Sequence, residues 1–412
     1  MPATPAAAEP APPSRNLLWT RPNEQPGRLS PTDTIAAMTQ PDRPYQPPVQ
    51  PPAGGQPAPY GPSGFPPGNL PPGSPPGSYP QAGFPPGYPV PAWARQPDPM
   101  PTAPVEYQHM LRGPRHRWWR PLVTVLLCAA LAVAVQVITG LVVGGVLVAT
   151  GTPVSDVVRR ISTTSPMAPL TFAVVIISLV SLIPSAMLAN WIVNGVRPGY
   201  LSSVAGRFRW RWFARCLVIT VPIFVIFVVL QVAFGQEIGP RPQHWVILLI
   251  MVIIGIPFQS AGEEYAFRGL VLQNVGSWFG RPKVALVAAM IPSVIVFALA
   301  HGSFDPWVFA DLAIFALASC FVAWRTGGLE SSVALHASNN VTLMIATLLF
   351  GGWDQAFVSS NTVGSPIAPL ATLIVNGICI AVILWQARRV RLQRTYQRRQ
   401  PQTAPAGYPA RG

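Results

Sequence analysis

Residues 245–269 read WVILLIMVIIGIPFQSAGEEYAFRG. The first part of this stretch, up to Ser260, is uncharged and almost wholly apolar, and Glu263, Glu264 and Arg268 follow at its end. Ionisable side chains are costly to bury at membrane depth, and a functional site is the default explanation for them. The apolar run therefore predicts a membrane helix, and the three charged side chains mark the first candidate site.

The composition of the whole chain indicates a membrane protein. Of its 412 residues, 50% are hydrophobic and 10% are charged, whereas soluble globular chains carry about 25% charged residues. The formal net charge of +14 would suit nucleic acid, but the basic residues lie at the ends of apolar runs and form no patch with interleaved aromatic residues. The positive-inside rule accounts for this distribution, so we expect no nucleic-acid partner.

Eight apolar runs are long enough, or nearly so, for the roughly 20 residues that a helix needs to cross the hydrocarbon. Apolar residues at helical spacing after Glu264 predict that the fourth helix continues to about residue 275. The expected fold is therefore an all-α, polytopic membrane helix bundle of about eight helices. The predicted spans are 122–149, 167–193, 213–234, 245 to about 275, 284–300, 307–324, 331–350 and 367–385.

Residues 1–110 differ in composition from the rest and are crowded with Pro, Gly, Gln and Ser, with GFPPG at 64–68 and again at 83–87. Such a segment buries too little apolar surface to offset its ordering entropy, which predicts a disordered tail of polyproline II character. It is interpreted as a solvated tail, with a docking site for a proline-binding partner as the alternative. Met38 offers a second start of translation.

Residues 111–390 form the predicted membrane bundle, with its core at 244–345, and residues 391–412 a basic, disordered C-terminal tail. Loops on one side of the bundle carry most of the basic residues. The positive-inside rule puts that side, with both termini, in the cytoplasm of a multi-pass cell-membrane protein. The tail is expected to anchor the topology and to contact anionic lipid.

Two histidines are associated with apolar runs. His301 stands four residues after Phe297, and His336 stands four residues before Asn340. Residues four apart share a helix face, so His336 and Asn340 should project together.

The same spacing applies to the charged residues of the first candidate site. Glu264 and Arg268 stand four apart and are expected to pair as a salt bridge. That pairing leaves Glu263 available to act on water.

In this order, E-E-x-x-x-R, F-x-x-x-H and H-x-x-x-N on separate predicted membrane helices resemble the CPBP intramembrane protease family, the Abi or type II CAAX prenyl endopeptidase-like group of glutamic endopeptidases. The resemblance covers roughly residues 245–345. It implies hydrolysis of a peptide bond in a membrane-associated protein or peptide, without a metal or other cofactor.

Carried over by position, the resemblance implies four catalytic residues. Glu263 would be the general base and His301 its partner in activating water, while His336 and Asn340 would stabilise the oxyanion. These are the roles that hydrolysis requires, namely a base for water and donors aimed at the developing charge.

The remaining motif residues match the family's supporting positions. The resemblance implies support of the catalytic residues by Glu264, Arg268 and Phe297.

Three alternatives stay open. Glu263, His301 and His336 have the ligand types of a two-His, one-carboxylate zinc site, although their spacing matches no compact zinc motif. A non-catalytic membrane scaffold, immunity or partner-binding protein would use the same fold, because a fold hosts many functions. A proton-coupled transporter would use the buried Glu and His as a relay, but no internal repeat accompanies them.

Overall fold

The computed structural model describes residues 97–162, 168–234 and 238–398, with the side chains of 159–162 excepted. The predicted Pro-rich tail lies outside the described residues up to position 96, and so does the C-terminal tail from position 399.

The predicted eight-helix membrane bundle is confirmed. Within the described residues, eight helices are long and apolar enough to cross a membrane, and their bounds agree closely with the predicted spans. Many large apolar side chains on them are exposed, as the lipid-facing surface of a membrane bundle requires. The helices are α1 (Arg120–Ala149), α2 (Val154–Ser162), α3 (Pro169–Val180), α4 (Leu182–Asn194), α5 (Gly199–Ser202), α6 (Trp210–Ala233), α7 (Trp245–Glu264), α8 (Leu272–Gly276), α9 (Pro282–Ala300), α10 (Pro306–Thr326), α11 (Glu330–Phe350) and α12 (Ile367–Arg389).

The fourth span continues beyond the glutamates, as predicted. It runs without interruption from Trp245 to Gly276, through α7, a π-helical segment at Tyr265–Val271, and α8. A π-helical turn inserts a residue into the helical repeat and is frequent at functional sites. The glutamates therefore lie within a continuous helix.

The second span consists of α3 and α4 in direct succession, from Pro169 to Asn194.

Short local signals fix the ends of α10. Asp305 caps its start by accepting hydrogen bonds from two backbone N–H groups, and Gly327 ends it in the left-handed conformation at φ 68°.

Helix α11 lies at the centre of the bundle and packs against α6, α7, α10 and α12. Of its apolar window, 56% is buried, compared with 11% of that of α1 at the periphery. Helix α7 also packs on α3 and α4, and α10 packs on α9 and α12. Side chains that α7, α9 and α11 direct inward therefore meet in the protein interior, away from lipid.

The folded unit extends further at both ends than the predicted tail boundaries of 110 and 391. The short strand β1 (Val105–Glu106) pairs antiparallel with β2 (Thr395–Tyr396). Tyr107 and Met110 are fully buried, and the Tyr107 hydroxyl donates to the Leu201 carbonyl oxygen. The predicted boundary at 110 is too late because it follows the Pro-rich composition. Tyr107 and Met110 stand next to that segment, but their side chains pack on the bundle.

Candidate active site

The two adjacent glutamates are buried at the end of α7. Glu263 is 7% exposed and Glu264 is fully buried. The helix approaches α3 closely here: a Cβ atom on Gly262 would lie only 2.0 Å from the Leu179 carbonyl oxygen. Glycine at this position therefore lets the backbone that carries the glutamates press against α3.

His336 lies between the two carboxylates. Its Nδ1 atom is 2.8 Å from Glu264 Oε1, and its Nε2 atom is 3.6 Å from Glu263 Oε2. His336 is 2% exposed, so both interactions are shielded from solvent. The structure thus brings the glutamate motif of α7 and the histidine motif of α11 into one cluster.

Arg268 completes the cluster on the other side of Glu264. The predicted i,i+4 salt bridge is confirmed, with 3.1 Å between Arg268 Nη1 and Glu264 Oε1 and both side chains fully buried. The guanidinium carbon lies 4.1 Å from the centroid of the Phe297 ring, which is cation–π distance. The ring of Phe297, the aromatic residue of the second motif, therefore packs against the Arg268 guanidinium.

His301 follows the last residue of α9 and is half-buried. Its Nδ1 atom lies 2.8 Å from the Phe297 carbonyl oxygen, and its ring packs 4.8 Å from the Phe297 ring. In the described part of the chain it forms no ion pair with either glutamate. The implied pairing of His301 with Glu263 is therefore not a direct contact in this structure, and His336 occupies the position next to Glu263 instead.

Asn340 reaches Glu263 through a residue that the sequence motifs do not include. Gln259 Nε2 donates to Glu263 Oε1 at 2.5 Å, and Gln259 Oε1 lies 3.5 Å from Asn340 Nδ2. Gln259 stands four residues before Glu263 on the same helix face, and that spacing is the signal by which the sequence could have identified it.

A cavity of about 220 Å³ begins at His336 and extends toward the end of the bundle where α9 ends and α10 and α12 begin. Neither glutamate lines this cavity, but His336 lines it and contacts both of them. The lining side chains are Phe227, Gln231, Phe297, His301, Asp311, Leu312, Phe315, His336, Asn339, Asn340, Leu343, Ala368, Ala371 and Thr372.

Three of the four predicted catalytic residues thus line one cavity, with Glu263 directly behind His336. Within the described residues, no group of three or more His, Cys, Asp or Glu side chains is arranged to hold a metal ion.

Comparison with known proteins agrees with the motifs. Residues 240–342 match the family model described as type II CAAX prenyl endopeptidase Rce1-like. The resemblance that the three motifs indicate is confirmed by this match. The matched segment contains every predicted site residue.

Two curated relatives are similar over part of their length. One is the membrane-embedded CAAX protease MroQ of Staphylococcus aureus (strain USA300), 30% identical over 34% of this chain and 58% of the relative. The other is the uncharacterized protein YyaK of Bacillus subtilis (strain 168), 27% identical over 37% of this chain and 52% of the relative. The chain spans about half the length of each. No solved structure matches the chain.

Proposed function

We propose that this multi-pass membrane protein is an intramembrane endopeptidase that hydrolyses a peptide bond of a membrane-associated protein or peptide. The observation that carries the proposal is the buried contact of Glu263 with His336, which lines a cavity together with His301 and Asn340. The family match and the similarity to a named CAAX protease point to the same activity.

Glu263 is the proposed general base. One of its oxygens is held by Gln259, while Oε2 has no hydrogen-bond partner in the described part of the chain and faces His336. An unpaired carboxylate oxygen can accept a proton from an attacking water molecule. The water oxygen then bonds to the scissile carbonyl carbon.

His336 and Asn340 are the proposed oxyanion donors. The Nδ1–H group of His336 is engaged by Glu264, so a proton that reaches the ring from Glu263 must reside on Nε2. That proton turns Nε2 into a donor when negative charge develops on the carbonyl oxygen. Asn340 lines the same cavity and supplies an amide donor.

His301 is the proposed proton carrier on the cavity side. Its Nδ1 atom faces a backbone carbonyl oxygen and so donates, which leaves Nε2 of the neutral ring as an acceptor. It can therefore accept the proton that stays on the attacking oxygen after Glu263 has taken the first one, and give it to the leaving nitrogen as the C–N bond breaks. The proton on Glu263 then returns to the product carboxylate. The products are a carboxylic acid and an amine.

We also propose that both termini lie in the cytoplasm and that the membrane is the cell membrane. Two observations support this proposal: β1 pairs with β2, which keeps the described ends of the chain together, and the loops on one side carry most of the basic residues. The role of the Pro-rich tail stays a prediction.

The test is cleavage of a mixed membrane-peptide library in liposomes by the wild type and by Glu263→Gln, which keeps size and hydrogen bonding but removes the base. Glu106→Gln, a carboxylate change in β1 far along the chain from the site, is the matched control. Chelator-insensitive cleavage that falls at least about 100-fold in Glu263→Gln and persists in Glu106→Gln supports the proposal.

Chelator-sensitive cleavage would instead favour the zinc alternative. Equal cleavage by Glu263→Gln and the wild type would rule out Glu263 as the base. No cleavage by any of the three proteins would favour the non-catalytic scaffold.

A further inference from the structure

Asp311 is a carboxylate of the cavity that the catalytic proposal does not use. It lies on α10 about 8 Å along the helix from Pro306, at a rise of about 1.5 Å per residue. Its side chain lines the same cavity as His301, His336 and Asn340. The sequence gives it no motif, but the fold places it facing the proposed catalytic residues.

The surroundings of Asp311 leave part of its carboxylate unsatisfied. The Oδ1 atom is buried and has no hydrogen-bond partner in the described part of the chain. Thr372, on the adjacent α12, is close enough for its hydroxyl to interact with the carboxylate. One hydroxyl cannot neutralise the negative charge.

Among the described residues, no Lys or Arg side chain lines the cavity. Besides Asp311, its polar lining side chains are the amides of Gln231, Asn339 and Asn340, the Thr372 hydroxyl and the two histidines. The nearby Arg268 forms an ion pair with Glu264 and does not line the cavity. A buried carboxylate without a partner is costly, and a positive charge offsets part of that cost. A cationic group of a ligand would supply such a charge.

We propose that Asp311 forms a subsite for a cationic nitrogen group of the substrate, either a lysine side chain or a free N-terminal amine. The cavity volume of about 220 Å³ suits one side chain better than a drug-sized ligand, for which pockets of roughly 300–1,000 Å³ are usual. Aromatic and aliphatic residues line the approach and would contact the methylene stem of such a group. This inference rests on the proposed function.

The first test measures binding and does not depend on cleavage. Thermal unfolding of the full chain in detergent is followed with butylammonium and, separately, with the neutral butanol. Binding to the folded state raises the unfolding midpoint. The wild type should be stabilised by butylammonium relative to butanol, and Asp311→Asn should lose this difference.

The matched control is Asp305→Asn. Asp305 is the N-cap of α10, the helix that carries Asp311, and Asn fills this role as well as Asp. Asp305 does not line the cavity. Asp305→Asn should keep the response to butylammonium. An equal response in Asp311→Asn, or none in the wild type, would overturn the subsite.

The second test measures cleavage of peptides that carry Lys or the neutral norleucine at successive positions, with free or acetylated N-termini. The wild type should prefer the cationic peptide by about tenfold or more in kcat/KM, and Asp311→Asn should abolish that preference. Dependence on Lys or on the free N-terminus identifies which source of the cation binds.

Cleavage by the wild type without any charge preference would overturn the subsite while the proposed function stands. If the wild type cleaves no peptide, the proposed function fails. The butylammonium measurement still tests whether Asp311 binds a cationic group.

Discussion

Nδ1 of His336 lies 2.8 Å from Oε1 of Glu264, on a neighbouring helix and 72 positions away in the chain. This contact fixes the ring so that its other nitrogen faces Glu263. The packing of α11 against α7 thus joins the histidine motif to both glutamates through one imidazole ring.

The buried Glu264–Arg268 pair should be important for stability. Arg268→Met removes the cation and leaves Glu264 buried with a reduced set of partners. We expect this change to lower the free energy of unfolding by about 3–5 kcal/mol. The measurement is thermal or denaturant unfolding of the variant in detergent.

A solvent-exposed pair provides the matched control. Arg398 and Asp98 form a salt bridge at 3.2 Å, with the two side chains 47% and 42% exposed. Arg398→Met should cost at most about 1 kcal/mol, because exposed ion pairs contribute little. Equal losses in the two variants would contradict a special role for the buried pair.

The sequence predicts the helices well, because membrane spans need long apolar runs and these are visible in the chain. It also predicts the Glu264–Arg268 pair, since a spacing of four residues is a property of one helix. It does not predict that His336 contacts both glutamates, because that depends on how α11 packs against α7.

The same limit applies to the cavity and to the chain ends. Asp311 belongs to no motif and acquires its surroundings from the packing of separate helices, and so does the contact of Gln259 with Asn340. The β1–β2 contact joins segments almost 300 residues apart, and local composition carries no signal for it.

Gln259 should position the base without binding substrate. Gln259→Met keeps an apolar shape of similar length but removes the hydrogen bond to Glu263 Oε1. A hydrogen bond to a charged group contributes about 1.5–3 kcal/mol, so kcat should fall by about 10- to 100-fold while KM changes little. Steady-state kinetics on a cleaved peptide measures both constants.

Ser260→Ala is the control for Gln259, because the Ser260 hydroxyl makes a longer contact of 3.4 Å to Gln259 Oε1 and none to Glu263. Its kcat should stay within about twofold of the wild type, as befits a weak contact. A large rise in KM for Gln259→Met would show that Gln259 binds substrate instead.

The close approach of α7 and α3 should tolerate no side chain at position 262. Gly262→Ala places a Cβ atom 2.0 Å from a backbone oxygen that cannot move alone, so the helices must separate beside Glu263. Overpacking of this kind costs about 1–3 kcal/mol or more. Unfolding and cleavage should both be impaired.

Gly377→Ala in α12 is the matched control, since a Cβ atom there meets no atom within 4 Å. Alanine has the better helix propensity by about 1 kcal/mol, so this variant should be unchanged or slightly stabilised. A stable, active Gly262→Ala protein would mean that the close approach does not position the glutamates.

The stability of the segment before α1 should depend on pH through His109. Burial lowers the pKa of His109 from its ordinary value of 6.5, and Arg112 lowers it further. The hydrogen bond to the Phe279 carbonyl oxygen and the nearby Glu106 oppose this shift without cancelling it. The unfolded chain therefore binds a proton at a higher pH than the folded chain does. The free energy of unfolding must then fall as the pH drops through about 6.5 toward the folded-state pKa.

The measurement is the unfolding midpoint between pH 7.5 and pH 5.5, a window in which ordinary carboxylates do not titrate. His109→Gln keeps a donor for Phe279 but has no titrating group, so it should lose less stability on acidification than the wild type. The pKa of His116 is also lowered by burial, with Arg112 adding to the effect. A double variant with His109→Gln and His116→Gln should therefore lose still less stability on acidification. Identical pH dependence in the wild type and in both variants would show that neither histidine couples protonation to folding.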